Sequence, residues 1–154
     1  MTLLKQILIQ PIGYVKNDYG RKHYNEWQET ISTIVISEEY HDALYRLEEF
    51  SHIEILFYIH EIDEKFQTRI HPTGNPGYPL MGAFATRTPN RPSRIGLTTC
   101  RLLGIEDNRL RVENLDAFNG SPVLDIKPYT GKPIKGIKQP EWLKDINRKK
   151  ENKV

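Results

Sequence analysis

Gly82-Ala83-Phe84-Ala85-Thr86-Arg87-Thr88-Pro89-Asn90-Arg91-Pro92-Ser93-Arg94-Ile95-Gly96-Leu97 opens the stretch around which the chain is organised, and Asn119-Gly120-Ser121-Pro122-Val123-Leu124-Asp125-Ile126-Lys127-Pro128-Tyr129 closes it. The first run sets arginines and prolines between two short apolar segments. Pro89 and Pro92 fix φ and stiffen the loop. A stiff loop presents Arg87, Arg91 and Arg94 in one geometry, and preorganised donors lose less entropy when a ligand arrives. The second run opens on Asn119-Gly120, a tight-turn signal, and re-enters a strand in which alternation puts Asp125 and Lys127 on one face, opposite Leu124 and Ile126.

Short strands flank these runs. Residues 6–15 read as a strand interrupted near Pro11 and Gly13, the mark of an edge or a bulge. Thr30 to Ile36 is β-branched. His52 to Ile59 is an apolar strand that ends at His60-Glu61, and Gly82 to Thr86, Ile95 to Ile105, Arg109 to Leu115 and Pro122 to Ile126 read as further strands. Between them, Ser37 reads as an N-cap with Glu38 and Glu39 behind it. Tyr40, Ala43, Leu44, Leu47 and Phe50 then recur at helical spacing, so one short helix is expected, with His41 off its apolar face. Residues 66–79 hold three prolines and two glycines and form a long loop. Residues 140–146 are expected to form a short helix with Pro140 at its first position. Six or seven strands and one short helix give an all-β, mainly antiparallel fold, most simply a small closed or partly closed β-barrel with long loops. The expected organisation is a barrel over residues 1–131 and a basic tail over 132–154.

The totals bound the class. With 154 residues, 38% of them apolar and 27% charged, the chain is sized for one globular domain. The lone Cys100 excludes an internal disulfide framework and points to a reducing compartment, the cytoplasm. No run of eighteen apolar residues is present, so no membrane helix is expected. The net charge of +2 is unevenly spread: residues 132–154 carry +5 and the rest −3. From Lys65 to Ile105 there is no Asp or Glu, and Lys65, Arg69, Arg87, Arg91, Arg94 and Arg101 make that segment a local positive field.

Three loci can carry chemistry: His60-Glu61, the arginine-proline loop, and Asn119 to Tyr129. The five histidines show no metal-ligand spacing and no glycine-rich phosphate loop is present, so no metal site is expected. Cys100, mid-strand among apolar residues, reads as a buried core residue rather than a nucleophile.

The two long runs resemble the TsaA-like, or TrmO, family of β-barrel methyltransferases. That family's signature runs G-x-F-A-T-R-(S or T)-P-x-R-P-N-P-I-G-L and then D-G-T-P-V-L-D-I-K-P-Y. Pro11-Ile12-Gly13 and Leu47-Glu48-Glu49-Phe50-Ser51-His52-Ile53 fit as well. Ser93-Arg94 stand in place of Asn-Pro, Asn119 in place of Asp, Ser121 in place of Thr, and Gly20-Arg21-Lys22 roughly where the family has Pro-Arg-Gln. The resemblance implies S-adenosylmethionine as cofactor, N6 of threonylcarbamoyladenosine at tRNA position 37 as methyl acceptor, and a homodimer with the site near the subunit boundary. By residue match it assigns cofactor contacts to His60, Glu61, Arg87, Leu97, Asn119, Gly120, Ser121 and Pro122. Arg91, Arg94 and Lys127 then suit the anions of a tRNA substrate, and Asp125 is the candidate base. The alternative is a barrel that binds S-adenosylmethionine, or modifies a small molecule, without acting on tRNA.

Overall fold

A computed structural model of the chain describes residues 6–20, 27–62 and 65–151. Arg21 and Lys22, at the departure from the family's Pro-Arg-Gln, lie outside these residues. In chain order the elements are β1 (Gly13–Lys16), β2 (Ile31–Ile36), β3 (His52–Tyr58), β4 (Arg69–Ile70), β5 (Met81–Gly82), β6 (Ile95–Glu106), β7 (Arg109–Glu113), β8 (Pro122–Pro128) and α1 (Glu141–Glu151). The chain falls into two compact units: residues 1–64 with 92–129, and residues 65–91 with 130–154. The basic tail expected from residue 132 therefore belongs with the 65–91 excursion.

The first unit is a closed barrel in the order β1-β2-β7-β6-β3-β8, every neighbour antiparallel. Closure leaves no strand edge unpaired. Strand alternation sends Val15, Ile34, Ile36, Ile53, Ile55, Phe57, Cys100, Leu110 and Val112 inward, where they form the core. Burying each large aliphatic side chain contributes roughly 1.5–3 kcal/mol. Burial also pushes the Cys100 thiol up to about 12, as its core position implies. Gly96 is a packing requirement: it pairs with Phe57, and a Cβ there would lie 2.4 Å from the Phe57 ring.

Several expected boundaries move. Of residues 6–15 only Gly13 onward forms a strand. The expected helix after Ser37 is a pair of 3₁₀ turns, Glu38–Leu44 and Leu47–Glu49, and the Ser37 side chain makes no cap bond. Arg46 interrupts the run in the left-handed region, at φ 66°. Leu44, Tyr40 and Leu47 still pack on the core, but Phe50 does not. The expected strand over 82–86 is only the two-residue β5 followed by a 3₁₀ turn, Ala83–Ala85. In β8 the alternation breaks at a bulge: Leu56 pairs with Asp125 but Phe57 with Val123, leaving Leu124 unpaired. Val123 thereby joins the core, while Asp125 and Lys127 stay on the outer face, opposite Ile126, as expected.

The second unit has little regular structure. β4 and β5 form a two-stranded hairpin around a long loop. The loop is folded on itself: His71 Nδ1 meets the Tyr78 carbonyl at 2.7 Å, and the Asn75 side chain accepts the Gly77 amide at 2.8 Å. α1 runs further than the expected 140–146. Pro140 supplies the first carbonyl acceptors, and ion pairs from Glu141 to Lys144 and Arg148 and from Asp145 to Lys149 line it. Tyr78 holds the helix, donating its hydroxyl to Asp145 Oδ2 at 3.0 Å and accepting from Lys149 Nζ at 3.2 Å. Among the described residues no helix is long and apolar enough to cross a membrane.

Candidate functional site

One end of the barrel brings together four of the sequence-predicted residues, His60, Glu61, Gly120 and Ser121. Because β8 runs antiparallel to both β1 and β3, the start of β8 meets the ends of the other two. β3 ends at Tyr58, and the Ile59 amide is held by the Arg94 carbonyl at 2.8 Å, which fixes where His60 and Glu61 emerge. Opposite them, Phe118 to Ser121 makes a tight turn closed by the Ser121 amide on the Phe118 carbonyl at 3.0 Å. Gly120 sits in its third position at φ 82°, which a type II turn requires and side chains resist. The turn is then stitched to β1: the Gly120 amide donates to Val15 O and the Val15 amide to Ser121 O.

This placement brings Ser121 Oγ to 3.2 Å from His60 Nδ1. Ser121 is only 1% exposed, so its hydroxyl is a buried polar group whose partner is the imidazole. The other ring nitrogen faces Glu61 Oε1 at 3.6 Å, and a Cβ at Gly120 would sit 3.8 Å from that same nitrogen, in ordinary van der Waals contact. Pro122 pairs with Tyr14 at the same end. His60, Glu61, Gly120 and Ser121 thus form one group: an imidazole, a carboxylate, a hydroxyl and a glycine beside the ring.

Asn119 faces away from it. Its Oδ1 accepts the Asn17 amide at 3.1 Å, which an aspartate would do equally well, so the departure from the family's Asp preserves this bond. Asn17 is the residue that sequence reasoning missed. Its side-chain amide donates to Ser32 Oγ at 2.8 Å and Ala117 O at 2.9 Å, while its oxygen accepts the Tyr19 amide at 3.1 Å. It ties the exit of β1 to the buried Ser32 and to the segment before the turn. The only signal was an asparagine directly after a strand, where such side chains commonly bond nearby backbone.

The remaining residues are placed separately. Leu97 is on the outer wall of β6, 43% exposed, paired with Leu56. Arg87 belongs to the second unit, as does Arg91, whose Nη1 donates to the carbonyls of Ala83 at 3.3 Å and Thr86 at 3.0 Å. Arg91 therefore shapes its own loop. Arg94 belongs to the barrel unit and sits at φ 51°. Across β8, Lys127 Nζ lies 2.7 Å from Asp125 Oδ2, while Asp125 Oδ1 accepts the Ile126 amide at 2.9 Å. The hydrogen bond to Asp125, then its charge, raise the Lys127 pKa above the ordinary lysine value. Both Asp125 oxygens are engaged, and Asp125 pairs with Leu56, four positions before His60, rather than joining the barrel-end group.

The barrel-end group can hold a polar ligand. The imidazole and the carboxylate of Glu61 suit hydroxyl or ammonium groups, and Leu97 offers apolar surface on the same unit. These are the features of S-adenosylmethionine, with its ribose hydroxyls, amino-acid end and adenine, so the residues fit the expected cofactor.

Comparison with known proteins gives the family. Residues 19–133 match the family described as the tRNA-methyltransferase O N-terminal domain. The chain is 36% identical over 128 residues to an S-adenosyl-L-methionine-binding protein of Archaeoglobus fulgidus, covering 80% of this chain and 90% of that protein. It is 31% identical over 152 residues to human tRNA (adenine(37)-N6)-methyltransferase, covering 92% of this chain but 34% of the human protein. The crystal structure of TrmO from Pseudomonas aeruginosa superposes with a TM-score of 0.69 at 28% identity, covering 91% of this chain and 63% of that one. The motif residues, the closed barrel and the matched span agree: the chain belongs to the tRNA-methyltransferase O N-terminal domain family.

Proposed function

We propose that the protein is an S-adenosylmethionine-dependent methyltransferase acting on N6 of adenine 37 in tRNA. The observation that carries this reading is the His60–Ser121–Gly120 group at the barrel end, inside the span that matches the methyltransferase family. The finer assignments are the threonylcarbamoyl form of that adenosine as acceptor, a homodimer as the working unit, and the cytoplasm as its place of action.

When bound beside His60, Glu61 and Ser121, S-adenosylmethionine would supply an activated methyl group, its thioether leaving as the acceptor nitrogen takes the methyl and gives its proton to solvent. The chain's own work is to bind and orient, which by itself accounts for a large share of rate in such transfers. The hydrogen bond between Ser121 and His60 fixes the imidazole plane and leaves its second nitrogen toward Glu61. The family resemblance assigns Arg87 a charge-assisted contact to the cofactor, worth about 1.5–3 kcal/mol. Asp125 holds Lys127 extended as a cation for the substrate's carboxylate or a phosphate, and this role replaces proton transfer in our reading. Arg94, beside the exit of β3, serves the same anions.

The test is direct. S-adenosylmethionine should raise the melting temperature through binding to the native state, and the shift should shrink in His60→Ala and Arg87→Ala. Radiolabelled methyl should then pass to tRNA, and mass spectrometry of the digested tRNA names the acceptor. No thermal shift at saturating cofactor with folded protein overturns the reading. A shift without methyl transfer to any tRNA favours the second reading, a cofactor-binding barrel without tRNA chemistry.

A further inference from the structure

Phe84 is 75% exposed near the start of the first motif. Single exposed apolar residues are common on protein surfaces, but this ring differs in its mounting, its neighbour and its charge surroundings. Its backbone is fixed by the Ala83–Ala85 turn. Ala83 is buried and its amide donates to Thr68 O at 2.9 Å, while the Thr86 hydroxyl closes the turn on Ala83 O at 2.9 Å. The Arg91 guanidinium carbon lies 5.5 Å from the ring centroid, and its bonds to Ala83 O and Thr86 O hold it there. Residues 65–91 contain no acid and include Lys65, Arg69, Arg87 and Arg91.

A rigid exposed aromatic beside a fixed guanidinium, in an acid-free segment, suits a flat π-system attached to anions. An unpaired nucleobase on a phosphate backbone has that chemistry, since aromatic and arginine planes stack splayed-out bases and cations take the phosphates. A purely apolar protein partner would gain nothing from the guanidinium and would meet a positive field. We propose that Phe84, with Arg91, is a stacking platform for an unpaired nucleobase of the RNA substrate. The proposal rests on the tRNA reading above and assigns Phe84 to the RNA, outside the cofactor contacts.

The experiment measures binding of an anticodon stem-loop RNA at fixed salt to the wild-type chain and to Phe84→Ala, Phe84→Leu and Phe84→Tyr. Thermal shift by S-adenosylmethionine and sedimentation are run on each. Phe84→Ala should weaken RNA binding by roughly tenfold to a hundredfold. Phe84→Leu should fall almost as far, since it keeps apolar area but loses the π-face, and Phe84→Tyr should bind within about twofold of wild type. Cofactor shift and sedimentation should be unchanged throughout. In Phe84→Trp, added RNA should quench the new indole's fluorescence. Wild-type affinity in Phe84→Leu would overturn stacking in favour of simple apolar contact. A changed sedimentation coefficient in Phe84→Ala would overturn it in favour of a ring packed on a second copy of the chain. Tight RNA binding by wild type and Phe84→Ala alike sinks this inference alone, whereas absence of RNA binding by wild type sinks the tRNA reading with it.

Discussion

The barrel and the 65–91/130–151 unit are held together in different ways. In the barrel each strand is paired on both sides and the core positions follow from alternation. The second unit has one short hairpin and a helix, and it relies on individual polar contacts: Tyr78 to Asp145, Arg91 to Ala83 and Thr86, Asn90 to the Lys65 carbonyl at 3.0 Å. The difference teaches where single substitutions act. A barrel position is shared by many neighbours, so a change there is felt globally. A contact in the second unit has few substitutes, so its loss is felt locally, in the loop that carries Phe84, Arg87 and Arg91.

The largest expected effect is in the barrel. Leu110→Ala, at a fully buried position, should lower unfolding free energy in urea by about 2–5 kcal/mol through lost burial and a residual cavity. A smaller loss would mean that the barrel relaxes around the gap.

Arg94 gives the next effect, at the point where the chain has returned to the barrel. Its φ of 51° is closed to proline. Although the family motif carries proline at this position, Arg94→Pro should destabilise by more than about 1 kcal/mol. Arg94→Gly should stabilise by about 1 kcal/mol, because glycine adopts the left-handed region without strain. Denaturant midpoints of the two variants check this. Equal stability of both would show that the loop adopts the family's conformation.

The smallest global effect belongs to the second unit. Tyr78→Phe should leave the urea midpoint almost unchanged while speeding amide exchange in residues 69–82 and 141–151. Its pH dependence has a definite sign. Hydrogen bonds from Lys149 and then Tyr78 lower the Asp145 pKa, so its contribution is present above the ordinary carboxylate range and lost as pH falls through the lowered value. Hydrogen bonds with Asp145 and then Tyr78 raise the Lys149 pKa, so that contribution is present below the ordinary lysine range and lost as pH rises through the raised value. Exchange protection of α1 should therefore be flat from pH 5 to 9. A change within that window would place the helix anchor on other groups.

Legibility followed the same division. The barrel strands and the Asn119-Gly120 turn were readable, because β-branched alternation and turn chemistry act over neighbouring residues. The helical spacing after Ser37 misled, since periodicity reports which side is apolar and not whether Arg46 will adopt a left-handed conformation and split the run. The bulge at Leu124 was likewise hidden: it is a property of pairing with β3, and it decides that Val123 joins the core.

By itself the sequence determined the barrel class, the two motifs with their family, and the polar residues that reach the barrel end, since short-range pattern and residue type suffice for these. Only the tertiary structure decided what those residues touch. Ser121 faces His60 across 61 positions, Asn17 reaches Ala117 across 100, and Tyr78 meets Asp145 across 67. Arg91, spaced like a ligand-binding arginine, turns back on its own loop. Such contacts depend on strand order and on where loops close, and a hydrogen bond between distant residues leaves no periodic trace in the chain that forms it.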